Sequence, residues 1–274
     1  MVKRVIGGNG NGAVVAATLP AQAEVRRMLL SAIKRAESSK WERVLIYGPE
    51  GIGKTWWANS WQAPVFICAE KGLKGIEPVP MAFPEAKDWK DVFDAIEELK
   101  TQPHEYKTLV VDTVDWLEAI CHQTIAKREG KSSIESFGYG KGFNLACEEF
   151  RKLLAAFESL EEKCGMHIVM TAHSKIKTFS NPTGDNFDRY QMKVHDQVYG
   201  VLKEWCDAVL FANYDIIVDS EKGDRKGKAV DSTAMIHAVN APNWSAKNRY
   251  RITEPIPMDF NVFWEYVEKS KEAQ

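Results

Sequence analysis

The sequence predicts an α/β fold in which a mostly parallel sheet is covered by helices, with a β-hairpin extension near its C-terminal end. Three observations carry that prediction. Apolar runs of strand length alternate with segments of helical period, a glycine-rich turn ending in Gly-Lys-Thr separates the first such strand from the next helix, and a later apolar run, Leu109-Val110-Val111, ends in Asp112. A length of 274 residues allows one elaborated domain. Hydrophobic residues at 45% and charged residues at 27% are the mix of a chain that buries a core, which excludes wholesale disorder. The formal net charge of −2 provides no global basic field, so any polyanion must be held by local patches. Five scattered cysteines without a CxxC pair argue against a disulfide framework or a zinc site, and for a reducing cytosol.

In chain order, residues 1–40 read as a glycine-rich leader and an N-terminal helix, with Val25, Leu29, Ile33 and Ala36 at helical spacing. The Gly7 to Gly12 run can be forced onto a dinucleotide fingerprint, but the helical pattern that follows removes the acid-ended strand such a site needs. No apolar run is long enough to span a bilayer, so no membrane is expected as a partner. Residues 41–274 read as one α/β domain. Val44 to Tyr47 and Val65 to Cys68 are strands around a short helix ending near Gln62. A helix from about Glu85 carries Val92, Phe93, Ile96 and Leu99 on one face. The strand ending at Asp112 follows, then helices from about Asp115 and about Asn144, then the strand Ile168 to Met170. Residues 174–190 are polar and turn-rich, read as a mobile loop, with helical character after it towards Trp205. Val209 to Val218 and Thr233 to Val239 are the hairpin strands around a charged turn, and Arg249 to Arg251 is a further short strand.

The chemistry concentrates in Gly48-Pro49-Glu50-Gly51-Ile52-Gly53-Lys54-Thr55, a GxxxxGK[ST] phosphate loop in its strand-to-helix context. By composition alone the pattern would arise in about 1 of 100 chains of this length. Its glycines let backbone N–H groups close around a triphosphate, Lys54 meets the β and γ phosphates, and Thr55 is a ligand for Mg2+. Asp112, a carboxylate at the ligand-binding edge of the sheet, is the second metal-shell residue. Hydrolysis of ATP also needs a group to position water. The residue after Asp112 is Thr113, so the carboxylate must come from elsewhere: Glu70, beyond the strand after the phosphate-loop helix, with Asp115 in reserve.

On these motifs the chain resembles the RecA-like P-loop ATPases, in which the catalytic Glu ends the strand after the phosphate-loop helix. In that resemblance His173, closing Val169-Met170-Thr171-Ala172-His173, takes the place of a polar sensor that is usually an amide. Lys247 and Arg249 in Ala246-Lys247-Asn248-Arg249-Tyr250 resemble the paired cations that such cores insert into a neighbouring subunit's nucleotide site, and alternate residues on a strand would share one face. From Trp41 to Phe263 the chain resembles, more narrowly, phage-encoded RecA-like proteins of the Sak-four group of single-strand annealing recombination proteins. That resemblance implies single-stranded DNA as partner, a homo-oligomeric ring or filament, a single-strand binding protein as a further partner, and the cytoplasm of a bacterial host. The residues it points to for DNA are Lys175, Lys177, Arg189 and Lys193, interleaved with Phe179, Phe187 and Tyr190 as a stacking surface requires. A second basic stretch spans 220–254. The alternative reading is a nucleotide-gated factor that loads or assembles a protein partner without touching DNA.

Overall fold

The computed structural model describes residues 40–219 and 228–272, all within the unit Ser39–Gln274. The leader, the helix expected over 21–38 and the charged turn at 220–227 lie outside the described residues. The strands are β1 (Arg43–Gly48), β2 (Pro64–Cys68), β3 (Met81–Ala82), β4 (Thr108–Asp112), β5 (His167–Phe179), β6 (Phe187–Met192), β7 (Ala208–Asp219), β8 (Lys228–His237) and β9 (Ile256–Pro257). The helices are α1 (Lys54–Asn59), α2 (Trp89–Thr101), α3 (Val114–Arg128), α4 (Lys141–Cys164), α5 (Asp196–Trp205) and α6 (Phe260–Glu272).

Eight strands form one sheet in the order β3-β2-β4-β5-β1-β7-β8-β9, parallel from β3 through β7 and antiparallel beyond it. The central strands β1, β2, β4 and the first half of β5 are almost wholly buried because both faces are covered. In β1, Leu45 and Tyr47 join the core beneath α2 to α5, and Val44 and Ile46 the core against α1 and α6. This is the helix-flanked, mostly parallel sheet with a C-terminal hairpin that the RecA-like resemblance implies.

Local chemistry sets the boundaries. Helix α2 starts at Trp89, later than expected, because Asp88 closes a capping box: its side chain accepts from the Lys90 and Asp91 N–H groups, and Asp91 accepts from the Asp88 N–H. Helix α4 begins at Lys141, earlier than expected, directly after Gly140 at φ 71°. Gly48 has no alternative, since a Cβ there would lie 2.2 Å from the Ala212 carbonyl oxygen of the adjacent β7.

Two expectations are corrected. Residues 174–190 are not a loop but the outer half of β5 and most of β6, an antiparallel hairpin whose register runs from Ser174↔Met192 to Phe179↔Phe187. It projects beyond the sheet, and residues 176–179 are exposed on whichever face they lie, so the alternating hydrophobic signal of a half-buried strand is missing. Arg249 to Arg251 forms no strand; Lys247 makes an isolated bridge to Val209, and Arg249 lies in a bend. Tyr47 anchors this segment, its hydroxyl donating to the Ser245 carbonyl at 2.6 Å and accepting from the Ser245 N–H at 3.1 Å.

Short strands β3 and β9 and helix α6 were not anticipated. Helix α6 covers the phosphate-loop helix through aromatic packing: Trp57 of α1 meets Phe263 at 5.2 Å between ring centroids, and Trp61 meets Phe260 at 5.4 Å and Trp264 at 5.5 Å. Phe263 is wholly buried. Phe263→Ala should therefore destabilise the fold by about 3–5 kcal/mol, measured as a lower midpoint in urea, with ATP affinity weakened only where α1 has begun to loosen.

Candidate nucleotide site

The sheet order decides which strand ends meet. Strand β5 lies between β1 and β4, pairing Gly48 with His173 on one side and Val111 with Met170 on the other, while β2 pairs Cys68 with Asp112. The phosphate loop, Asp112, Glu70 and His173 therefore emerge at one sheet edge, around a cavity of about 590 Å³. Its lining includes Glu50, Gly51, Gly53, Lys54 and Thr55 of the loop, with Glu70, Asp112, Thr113 and His173 opposite.

Gly53 caps α1 in the left-handed conformation at φ 103°, turning the chain from loop into helix. Lys54 is 6% exposed and its Nζ donates to the Gly48 and Pro49 carbonyls at 3.1 and 2.8 Å, within the loop that would receive the phosphates. Burial lowers its pKa, opposed by the carboxylates of Asp112, Asp115, Glu50 and Glu70. The Thr55 hydroxyl donates to Asp112 Oδ2 at 3.1 Å, and the Thr171 hydroxyl donates to Asp112 Oδ1. Burial pushes the Asp112 carboxyl up, against those hydrogen bonds and the Lys54 charge. A hydroxyl and a carboxylate so close form a hard-oxygen pair that fits magnesium, whose remaining ligands would be phosphate and water. The Asp112–Thr113 peptide is cis.

The two candidate carboxylates are separated by the structure. Glu70, two residues past β2, lines the cavity and accepts from the Thr113 hydroxyl at 3.3 Å, with burial pushing its pKa up. Asp115 is turned away into a bidentate contact with His173, Oδ1 accepting from the backbone N–H at 2.9 Å and Oδ2 facing Nδ1 at 2.8 Å. Burial alone would raise Asp115, but the His173 contacts outweigh it and hold its pKa below the ordinary value. The same hydrogen bond raises His173 against its own burial. The histidine thus presents a cationic tendency to the cavity where an amide would present a neutral dipole.

Lys247 and Arg249 lie elsewhere in this chain. Lys247 Nζ donates to the carbonyls of Lys203, Glu204 and Cys206 at 3.0, 2.9 and 2.6 Å, closing the C-terminus of α5. Arg249 pairs with Asp207 at 2.9 Å and its side chain is 64% exposed, a contact that solvent screening leaves weak. The shared strand face expected for the two is absent, as the segment is no regular strand. Of the pair, Arg249 is the one that can be released.

The hairpin does gather the four basic residues. Cross-strand pairing places Lys177 opposite Arg189 and Lys175 opposite Gln191, and the Lys193 N–H donates to the His173 carbonyl, continuing the register. Directly opposed residues share a face, so Lys175, Lys177, Arg189 and Lys193 stand on one side of the hairpin with Phe179 and Phe187. Tyr190 faces the other way and stacks on Phe211 at 5.1 Å, so it belongs to the interior and not to a stacking surface. The basic stretch 220–254 is in part outside the described residues. Thr171, Thr113 and the Asp115–His173 contact were missed from the sequence; a threonine inside the apolar run Val169-Met170-Thr171-Ala172 was the one available signal.

Among curated proteins none matches the chain in sequence. Among solved structures, the crystal structure of the RadB recombinase is similar at 13% identity with a TM-score of 0.38, covering 76% of this chain and 92% of that one, a likeness that bears on neither substrate nor partner. The family model described as AAA domain matches residues 40–250, the stretch that holds the phosphate loop, Glu70, Asp112, His173 and the hairpin, and the chain belongs to that family.

Proposed function

We propose that the protein is a magnesium-dependent ATPase that acts on single-stranded DNA in recombination, by annealing or strand exchange, as the resemblance to the phage Sak-four group implies. One observation carries this reading: the strand that delivers His173 to the nucleotide cavity continues without a break into the hairpin that bears Lys175, Lys177, Arg189 and Lys193 on one face.

In this reading Lys54 would leave the loop carbonyls for the β and γ phosphates, and Thr55 with Asp112 would hold magnesium, which when bound would supply charge neutralisation for the phosphate oxygens. Glu70, with its pKa raised by burial, orients the attacking water and takes its proton. His173, held by Asp115, would face the γ-phosphate. Among the described residues the cavity lining holds one lysine, Lys54, and His173 against three carboxylates, Glu50, Glu70 and Asp112. That balance favours further positive charge from outside the subunit, and supports a head-to-tail homo-oligomer in which a neighbour's Arg249 reaches the γ-phosphate, with Lys247 holding the segment in place. A second reading, a nucleotide-gated protein-loading factor, is favoured by the internal engagement of three of the four hairpin cations: Lys175 donates to the Val194 carbonyl, Lys177 pairs with Asp196, and Arg189 binds Asn240 and backbone carbonyls.

The deciding measurement is ATP turnover with and without single-stranded DNA; stimulation supports the recombination reading, and a rate indifferent to DNA with no DNA binding at low salt supports the loading factor. Lys54→Ala should weaken ATP binding by about 10- to 100-fold, the loss of a charge-assisted contact, read by titration with a fluorescent ATP analogue. Glu70→Gln should keep ATP affinity and lower turnover by about 100-fold or more; retained turnover in Glu70→Gln together with its loss in Asp115→Asn would reverse their roles. Arg249→Ala should lower turnover by about 100-fold with ATP binding intact. Mixing Arg249→Ala with Lys54→Ala subunits should restore part of the activity, since some interfaces then pair an intact loop with an intact arginine; no recovery in verified mixed assemblies argues against action between subunits.

A further inference from the structure

The basic face of the hairpin is not flat. Where it meets α5 there is a cavity of about 400 Å³, walled by Lys177, Phe179, Arg189, Gln191, Asp196 and Tyr199. Its composition differs from that of a phosphate groove. Asp196 pairs with Lys177 and accepts from Gln191 Nε2 at 3.4 Å, so a carboxylate stands in the wall and repels an anion. Lys175 and Lys193 lie further along the same face, towards the sheet; Lys175 meets the Val194 carbonyl oxygen and Lys193 is exposed. The cavity is therefore close to charge-balanced, with unpaired positive charge beside it.

Its walls suit a flat, polar-edged ring. Phe179 is 41% exposed and in contact with Phe187 at 5.2 Å, with the Arg189 guanidinium 5.7 Å from its centroid. Arg189 is immobilised at Nη2 by Asn240 Oδ1 at 2.6 Å, the Ala241 carbonyl at 3.2 Å and the Trp244 carbonyl at 3.0 Å. A nucleobase edge offers ring nitrogen and carbonyl acceptors to the Gln191 amide, and amino groups to the Gln191 and Asp196 oxygens, while its face stacks on a phenyl ring.

We infer that this cavity receives one unstacked base of a single strand, its ring against Phe179 and its edge on Gln191 and Asp196, with flanking phosphates on Lys175 and Lys193. The inference rests on the single-strand reading above and adds to it a base-recognition site. The test is fluorescence anisotropy with the full chain and a non-hydrolysable ATP analogue, comparing a homopolymeric DNA strand with an abasic sugar-phosphate strand of equal length. Wild type should bind the base-bearing strand about 10-fold more tightly or better. Phe179→Ala and, separately, Gln191→Ala should lose most of that preference while keeping ATP affinity and the salt dependence of binding. Lys193→Ala should flatten the salt dependence and keep the preference. Equal wild-type affinity for the two strands overturns the base site and leaves the DNA reading standing; no wild-type affinity for either overturns both. Full preference retained in both Phe179→Ala and Gln191→Ala, with ATP binding intact, also overturns the site.

Discussion

The insertion of β5 between β1 and β4 is the constraint on which the rest of the structure depends. With that order, the pairings Gly48↔His173 and Cys68↔Asp112 bring the glycine-rich loop, Asp112 and His173 to one edge without any further adjustment. The buried Asp112 shows how tightly this edge is built: it is 2% exposed, and its two oxygens accept from threonines on two different elements, Thr55 of α1 and Thr171 of β5. A buried carboxylate held by two neutral hydroxyls retains the need for a cation, which suits it to a magnesium shell.

The same insertion makes β5 a lever. Helix α3 leaves the site immediately after Thr113 and carries Asp115 and Glu118 about one turn apart. Asp115 holds the His173 N–H, where the hairpin's first strand leaves the sheet, and Glu118 holds the His195 N–H at 2.9 and 3.0 Å, just past its second strand. Burial pushes the Glu118 carboxyl up to about 7, opposed by the His195 hydrogen bonds. Both roots of the hairpin are therefore tied to the helix that begins beside Asp112, a contiguous set of contacts between the cavity edge and the hairpin.

Aromatic packing stabilises this arrangement from the opposite face. The α1 helix has only six residues, too few to persist unaided, and Trp57 and Trp61 bury it against α6. Because α1 presents Lys54 and Thr55 at its first turn, the α6 contact also fixes the direction from which the loop meets phosphate.

The sequence by itself determined the strand-and-helix alternation, the phosphate loop and the carboxylate-ended strand, because each is a local pattern: a period, a glycine spacing, an apolar run closed by an acid. It also singled out Glu70 and the four hairpin cations as residues of interest. Only the tertiary structure decided that Asp115 serves His173 and that Glu70 faces the cavity, since both stand near the same edge and the choice depends on side-chain direction. It likewise turned residues 174–190 from loop into hairpin, placed Tyr190 inside, and bound Lys247 to the end of α5. In each case the determining partner, Phe211 for Tyr190 or the carbonyls of 203–206 for Lys247, lies far along the chain. Local periodicity carries no information about such contacts; register and packing do.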